Sequence, residues 1–331
     1  MGKRHAAWWL AFSVAATAAV AVLGASAARA QAWPAKPVRV IIPFAPGGPM
    51  ELASRPVTNK MGDALGKPMI IEYKPGVAGV IGTDYAAKAP ADGYTLLMIS
   101  SAQLSTPATV KSLPYDMVRD FAAISNVAQS GLVLVVNPVL KINSVPELIS
   151  FAKSAGRPMN FGSSGAGGAV HLAMEYMFLT AGIQGLHVPY KGVGPALQDV
   201  IAGRLDMMFG GVSGVAPFAK TGKLRVLAFG GAKRSRLMPD IPTVAETTKI
   251  MEKFAVDSSY GLLAPAKTPA VVINRVSAEL KKVLESPDIE QIYTGLSVEP
   301  WWTSPAETAT WVKEEIDKWH VVARAINYQP E

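Results

Sequence analysis

Two glycine-rich loops carry most of the chemistry this chain can offer. Phe44-Ala45-Pro46-Gly47-Gly48-Pro49 follows the β-type run Val38-Arg39-Val40-Ile41-Ile42 and opens a helical pattern. Ser163-Ser164-Gly165-Ala166-Gly167-Gly168 stands between the run Met159 to Gly162 and a second helical pattern beginning at Ala169. At such a junction the first amides of the helix have no intrahelical acceptor and the helix dipole adds partial positive charge, so the junction suits a carboxylate or another small anion. Glycine lets the backbone approach where a side chain would block it. Two cradles of this kind on opposing lobes suit a ligand with an acidic group at each end.

Other polar residues fall near these loops in the strand-helix order. Ser100 and Ser101 end the run Tyr94 to Ile99 and are candidate donors to a carboxylate, and Ala78 lies in the turn Pro75 to Gly79, at another strand end. His171 sits one helical turn past the second loop, where it is either a hydrogen-bonded structural residue or a ligand contact. His187 ends a strand pattern before Pro189-Tyr190-Lys191-Gly192, and Lys191 either attracts the anion or is solvated. Asp206, after Leu205 in an apolar setting, either accepts from a ligand hydroxyl or ammonium, orients Ser164 and the loop amides, or bonds a neighbouring helix start.

Competing chemistries lack their motifs. Gly165-x-Gly167 is followed by Val170 where a dinucleotide fingerprint needs Gly or Ala, and no phosphate-loop pattern occurs. No G-x-S-x-G elbow surrounds a serine, and His171 and His187 have no zinc-type partners. The chain has 0 cysteines, which removes disulfides and thiolate chemistry. The expectation is a protein without catalytic residues, metal or cofactor.

The first 30 residues read as a leader. Lys3, Arg4 and His5 precede an apolar stretch from Ala6 to Leu23, and Ala28-Arg29-Ala30 forms a small-residue cleavage site ahead of Gln31. The formal net charge is +7, and the leader's Lys3, Arg4 and Arg29, with no acid among them, leave +4 for the rest. That mild excess favours a small anion. No basic tract with interleaved aromatics is present, so nucleic acid is not an expected partner. About 300 mature residues suggest two domains.

Strand and helix patterns alternate from Val38 to Ile99 and again from Leu132 to Phe229, which predicts an α/β fold of two doubly wound lobes built on parallel sheets. The chain enters the second lobe near Gln129 and returns with the strand pattern Tyr260 to Ala264. The expected division is residues 1–30 as the leader, 31–128 plus 254–331 as lobe 1, and 129–253 as lobe 2, joined by a two-segment hinge. Ser144 with Glu147 and Ser304 with Glu307 have capping-box spacing at helix starts.

Several segments resemble one family in order along the mature chain. They include Phe44-x-Pro46-Gly47-Gly48 with Arg55, Pro75-Gly76-x-x-Gly79, and Ala91-Asp92-Gly93-Tyr94-Thr95-Leu96-Leu97. Further along are Gly162-Ser163-x-Gly165-x-Gly167-x-x-x-His171-Leu172, His187-Val188-Pro189-Tyr190-Lys191-Gly192 and Pro239-Asp240-Ile241-Pro242-Thr243. The chain resembles the extracytoplasmic receptors of tripartite tricarboxylate transporters, also called Bug receptors. The resemblance implies a type II periplasmic-binding-protein-like fold. It also implies a monomeric periplasmic receptor that closes on an organic carboxylate, a di- or tricarboxylate or an aromatic acid, and hands it to a membrane permease. The ligand-binding residues it points to are Phe44, Gly47, Gly48, Pro49, Ala78, Ser100, Ser101, Ser163, Ser164, Gly165, Gly168, His171 and Asp206. Glu51 stands where the family usually has Asp, and Gly168 where it often has Ser. Two alternatives share the same residues: a ligand-dependent sensor partner for a membrane signalling protein, and a periplasmic hydrolase.

Overall fold

The computed structural model describes residues 33–163, 165–190 and 192–330. The leader, Gln31, Ser164 and Lys191 lie outside the described residues. β1 (Val38–Ile42), β2 (Met69–Tyr73) and β3 (Thr95–Ser100) pair in parallel, with β1 between the other two. Their crossovers are α1 (Pro49–Leu65), with proline at its first position and left-handed Gly66 at its end, and α2 (Val80–Ala87). Val38, Val40, Ile42, Leu96 and Met98 face one core while Ile41, Leu97 and Ile99 face another. Strands buried on both faces need unbroken apolar runs, and these sequences supply them.

After a 3₁₀ turn at Gln103–Ser105 come the short α3 (Thr106–Thr109) and the long strand β4 (Phe121–Ser130). Gly131 then carries the chain into the wholly buried β5 (Leu132–Val136); a Cβ at Gly131 would lie 2.0 Å from the Phe229 ring. The second sheet is completed by α4 (Val145–Ser154), β6 (Met159–Ser163), α5 (Ala169–Ala181), β7 (Gly185–Pro189), α6 (Val193–Ile201), β8 (Met207–Gly211), α7 (Val212–Lys220), β9 (Arg225–Phe229) and α8 (Val244–Thr247). The chain returns through β10 (Ser258–Pro265), α9 (Ala270–Leu284), α10 (Pro287–Gly295), the short β11 (Glu299–Pro300) and α11 (Pro305–Ala325).

The strand orders are β11-β4-β10-β3-β1-β2 and β7-β6-β8-β5-β9. Each sheet is mixed, not wholly parallel as the alternating pattern predicts. β10 runs antiparallel to β3 and β4, and β5 antiparallel to β8 and β9. These antiparallel members adjoin the two crossings, β4 to β5 and β9 to β10, and hydrophobic periodicity carries no information about strand direction.

α11 belongs to both cores. Val312 packs with Ile41, Leu97 and Leu263 of the first sheet, and Trp319, Val322 and Ala323 lie in the core of the second. Its start has the capping box that the Ser304 and Glu307 spacing predicts. The two sheets are therefore joined at two strand crossings and by this helix.

Candidate functional site

A cleft of about 460 Å³ opens beyond the carboxyl ends of β1, β2, β3 and β6, with walls from both lobes. Open α/β sheets place ligands at this edge. The first lobe supplies Phe44 after β1, Val77 and Ala78 after β2, and Gln103, Ser105, Thr106 and Thr109 after β3. The second supplies Gly167, Gly168 and Ala169 at the start of α5, and Tyr328, beyond α11, completes the lining. Among the described residues, no side chain lining the cleft is ionised at neutral pH. Val77 and Ala78 both hold left-handed backbones, at φ 46 and φ 51. A β-branched residue in that region is strained, and strain of this kind collects at ligand clamps.

The two glycine loops share one local device. Gly47 (φ 82) precedes the extended N-cap Gly48, and its amide donates to Glu51 Oε2 over 2.7 Å. Gly167 (φ 70) precedes the extended N-cap Gly168, and its amide donates to His171 Nδ1 over 3.0 Å. In each lobe the acceptor is the third residue of the helix, four positions after its glycine. One loop amide in each cradle is thus satisfied from within the chain.

The two acceptors differ in charge. Glu51 is held at about 2 by the Gly47 amide, then by Tyr73 and Arg55, so it is a carboxylate at any working pH. Arg55 Nε donates to Glu51 Oε1 at 2.7 Å, and Arg55 Nη2 donates to the Tyr73 hydroxyl at 2.6 Å. His171 accepts at Nδ1, so the proton of the neutral ring is on Nε2, 3.5 Å from Glu175 Oε1. Its ring stacks on His187 with centroids 3.8 Å apart, and Phe161 stacks on both rings. Burial, reinforced by His171, pushes His187 down to about 4, which keeps it neutral.

The remaining residues expected at a site are placed as follows. Phe44, Ala78 and Gly168 line the cleft. Gly47, Gly48 and Pro49 continue the Phe44 loop outside the lining. Ser163 has no exposed surface; its Oγ lies 2.6 Å from His187 Nε2 and accepts from the Gly165 amide at 3.1 Å, which shapes the second loop. Ser100 Oγ accepts from the Gln103 amide at 3.2 Å. Ser101 Oγ donates to the Asp257 carbonyl at 2.9 Å and accepts from the Ser259 amide at 3.1 Å, so it ties the β3 end to the returning crossing. Asp206 stands just before β8, at the opposite end of the sheet from the loop that follows the parallel strand β6. Its carboxylate accepts from Arg157 at 2.6 and 2.8 Å and from the Asn160 amide at 2.7 Å.

The sequence does not single out Val77, Gln103, Ser105, Thr106, Thr109 and Tyr328 as contacts, although Val77 and Gln103 fall in loops at the ends of β2 and β3. The hydroxyl-rich Ser105-Thr106-Pro107, directly after a strand end, was the available signal for the middle of this group. Tyr328 had none, because its place depends on where α11 ends.

Fold and cleft together define a bilobed α/β binding-protein architecture. Residues 53–328 match the family described as tripartite tricarboxylate transporter family receptor, and the chain belongs to that family. It is 33% identical over 300 residues to Protein BugT of Bordetella pertussis (strain Tohama I), a match covering 89% of this chain and 90% of that protein. It is 32% identical over 293 residues to a UPF0065 protein in the tcbD-tcbE intergenic region of Pseudomonas sp. (strain P51), covering 88% of this chain and 87% of the relative. Among solved structures it is similar to R. palustris Rpa4515 with adipate, at 29% identity and TM-score 0.73, covering 90% of this chain and 100% of the other. It is also similar to MatC from Rhodopseudomonas palustris with bound malate, at 26% identity and TM-score 0.69, covering 88% and 99%.

Proposed function

We propose that this protein is a periplasmic receptor that captures an organic carboxylate between its lobes and presents it to the membrane permease of a tripartite tricarboxylate transporter. It binds its ligand without transforming it and acts as a monomer. Its lobes are 31–128 plus 254–331 and 129–253, and they close about the two crossings. The observation that carries this reading is a cleft at the strand ends whose described side chains bear no charge, walled on one side by the glycine start of α5. Backbone amides and hydroxyls recognise a carboxylate there by geometry. The adipate and malate in the related structures support the ligand class.

Thermal denaturation in the presence of mono-, di-, tri- and aromatic carboxylates tests the proposal. A true ligand at a hundred times its Kd stabilises the folded form by about 2.7 kcal/mol. A panel that leaves the melting temperature unmoved would refute the carboxylate reading. Uptake of labelled ligand in a deletion strain, set against induction of a reporter, separates transport from sensing.

A further inference from the structure

We propose that the cleft is directional: it holds one ligand carboxylate at the start of α5 and offers a hydrogen-bond acceptor, Gln103 Oε1, to a neutral donor at the ligand's other end. The preferred ligand is then a hydroxy- or amide-bearing monocarboxylate, not a diacid. This rests on the carboxylate reading above and narrows it.

The supply of amides is unequal between the lobes. Gly167, Gly168 and Ala169 line the cleft, and the N-cap of α5 has no side-chain bond. The amides of Gly168, Ala169 and Val170 are those a helix leaves without internal acceptors. In the first lobe the Gly47 amide already holds Glu51, Pro49 has no N–H, and residues 47–49 are absent from the lining. The first cradle therefore contains a carboxylate, and it is the protein's own. A second ligand carboxylate at that end would face the acceptor Gln103 Oε1, with no described cation in the lining to hold it.

Gln103 supplies the independent observation. It lines the cleft yet is only 1% exposed. Thr83 Oγ1 donates its proton to the Gly79 carbonyl at 2.8 Å, so toward Gln103 it can only accept. Gln103 must therefore present Nε2 to Thr83, which fixes the amide orientation. Oε1 is left buried and without a partner. A buried acceptor in that state favours a ligand that brings a donor and disfavours the same ligand without one.

Titration calorimetry on the mature protein with hexanoate, 6-hydroxyhexanoate and adipate, and with butanoate, 4-hydroxybutanoate and succinate, tests this. In at least one set the hydroxy acid should bind about 10-fold tighter than both the simple acid and the diacid. In Gln103→Leu the hydroxyl preference should vanish, with the hydroxy acid and the simple acid binding that variant equally well. Glu51→Gln, which leaves Arg55 without its ion-pair partner but keeps an acceptor for Gly47, should narrow the margin over the diacid. In the wild type, a diacid that matches or exceeds the hydroxy acid in both sets overturns the proposal, as does an unchanged hydroxyl preference in a folded Gln103→Leu variant. Binding of none of the acids to folded protein would instead remove the carboxylate reading on which it rests.

Discussion

Gly167 gives its amide proton to Nδ1 of His171 across 3.0 Å, and the imidazole is thereby an acceptor at the threshold of the cleft. The bond holds the second loop in the shape that turns Gly168 and Ala169 toward a ligand. It has a counterpart in the other lobe, where Gly47 and Glu51 do the same with a charged acceptor.

His171→Ala removes that acceptor and leaves the Gly167 amide to solvent. The expected cost is about 2–4 kcal/mol, because the buried ring stacked on His187 and Phe161 is lost together with the hydrogen bond. Hydrogen exchange followed by mass spectrometry should show faster exchange confined to the segment around Gly167. Exchange unchanged from the wild type would mean the bond contributes nothing to the loop.

His187 predicts an acid-sensitive stability. Its folded value of about 4 lies below the ordinary 6.5, so between these pH values the unfolded chain binds a proton that the folded chain does not. The stabilisation is complete above about 6.5 and is lost as pH falls toward 4. Asp257 and Glu315, both pushed up by burial, slope the opposite way. The quantity to measure is the difference in melting temperature between wild type and His187→Gln across this range. That difference should shrink with acid; a constant offset would contradict the shift.

Asp206→Asn separates stability from binding. The substitution weakens a bidentate pairing with Arg157 on a side chain that is mostly buried, at an expected cost of about 1–3 kcal/mol. Carboxylate affinity should stay within twofold, because Asp206 stands at the far end of its sheet. Calorimetry showing a large loss of affinity would return Asp206 to the site.

Val77→Gly should stabilise the protein. Its side chain is 65% exposed, so little burial is lost, and its φ of 46 is one that glycine adopts freely. Relief of strain, less the entropy glycine adds to the unfolded chain, should leave a gain of about 1 kcal/mol in chemical denaturation. Ligand binding should weaken, because the cleft wall becomes less rigid.

What could be read from the sequence is what is local in the chain. The buried strands follow from runs such as Leu132 to Val136, the helix start from Ser304 and Glu307 three residues apart, and both loops from their glycines. What could not be read depends on distant partners. Ser101 was placed at a strand end, but its bond to Asp257 spans 156 positions. Gln103 stands three residues past the end of β3, yet its meaning comes from Thr83, whose own proton goes elsewhere. The strained Val77 has no composition signal, because the sequence there offers valine where the backbone would suit glycine.

The helix from Pro305 to Ala325 bears on how the lobes can move. Two strand crossings alone would let one body both bend and rotate relative to the other. A helix of 21 residues, seated by Val312 in one body and by Trp319 and Val322 in the other, is a third connection that either motion must carry or bend. The lobe closure proposed above must therefore reseat or bend this helix, and paired probes on the helix and across the cleft would follow the two together.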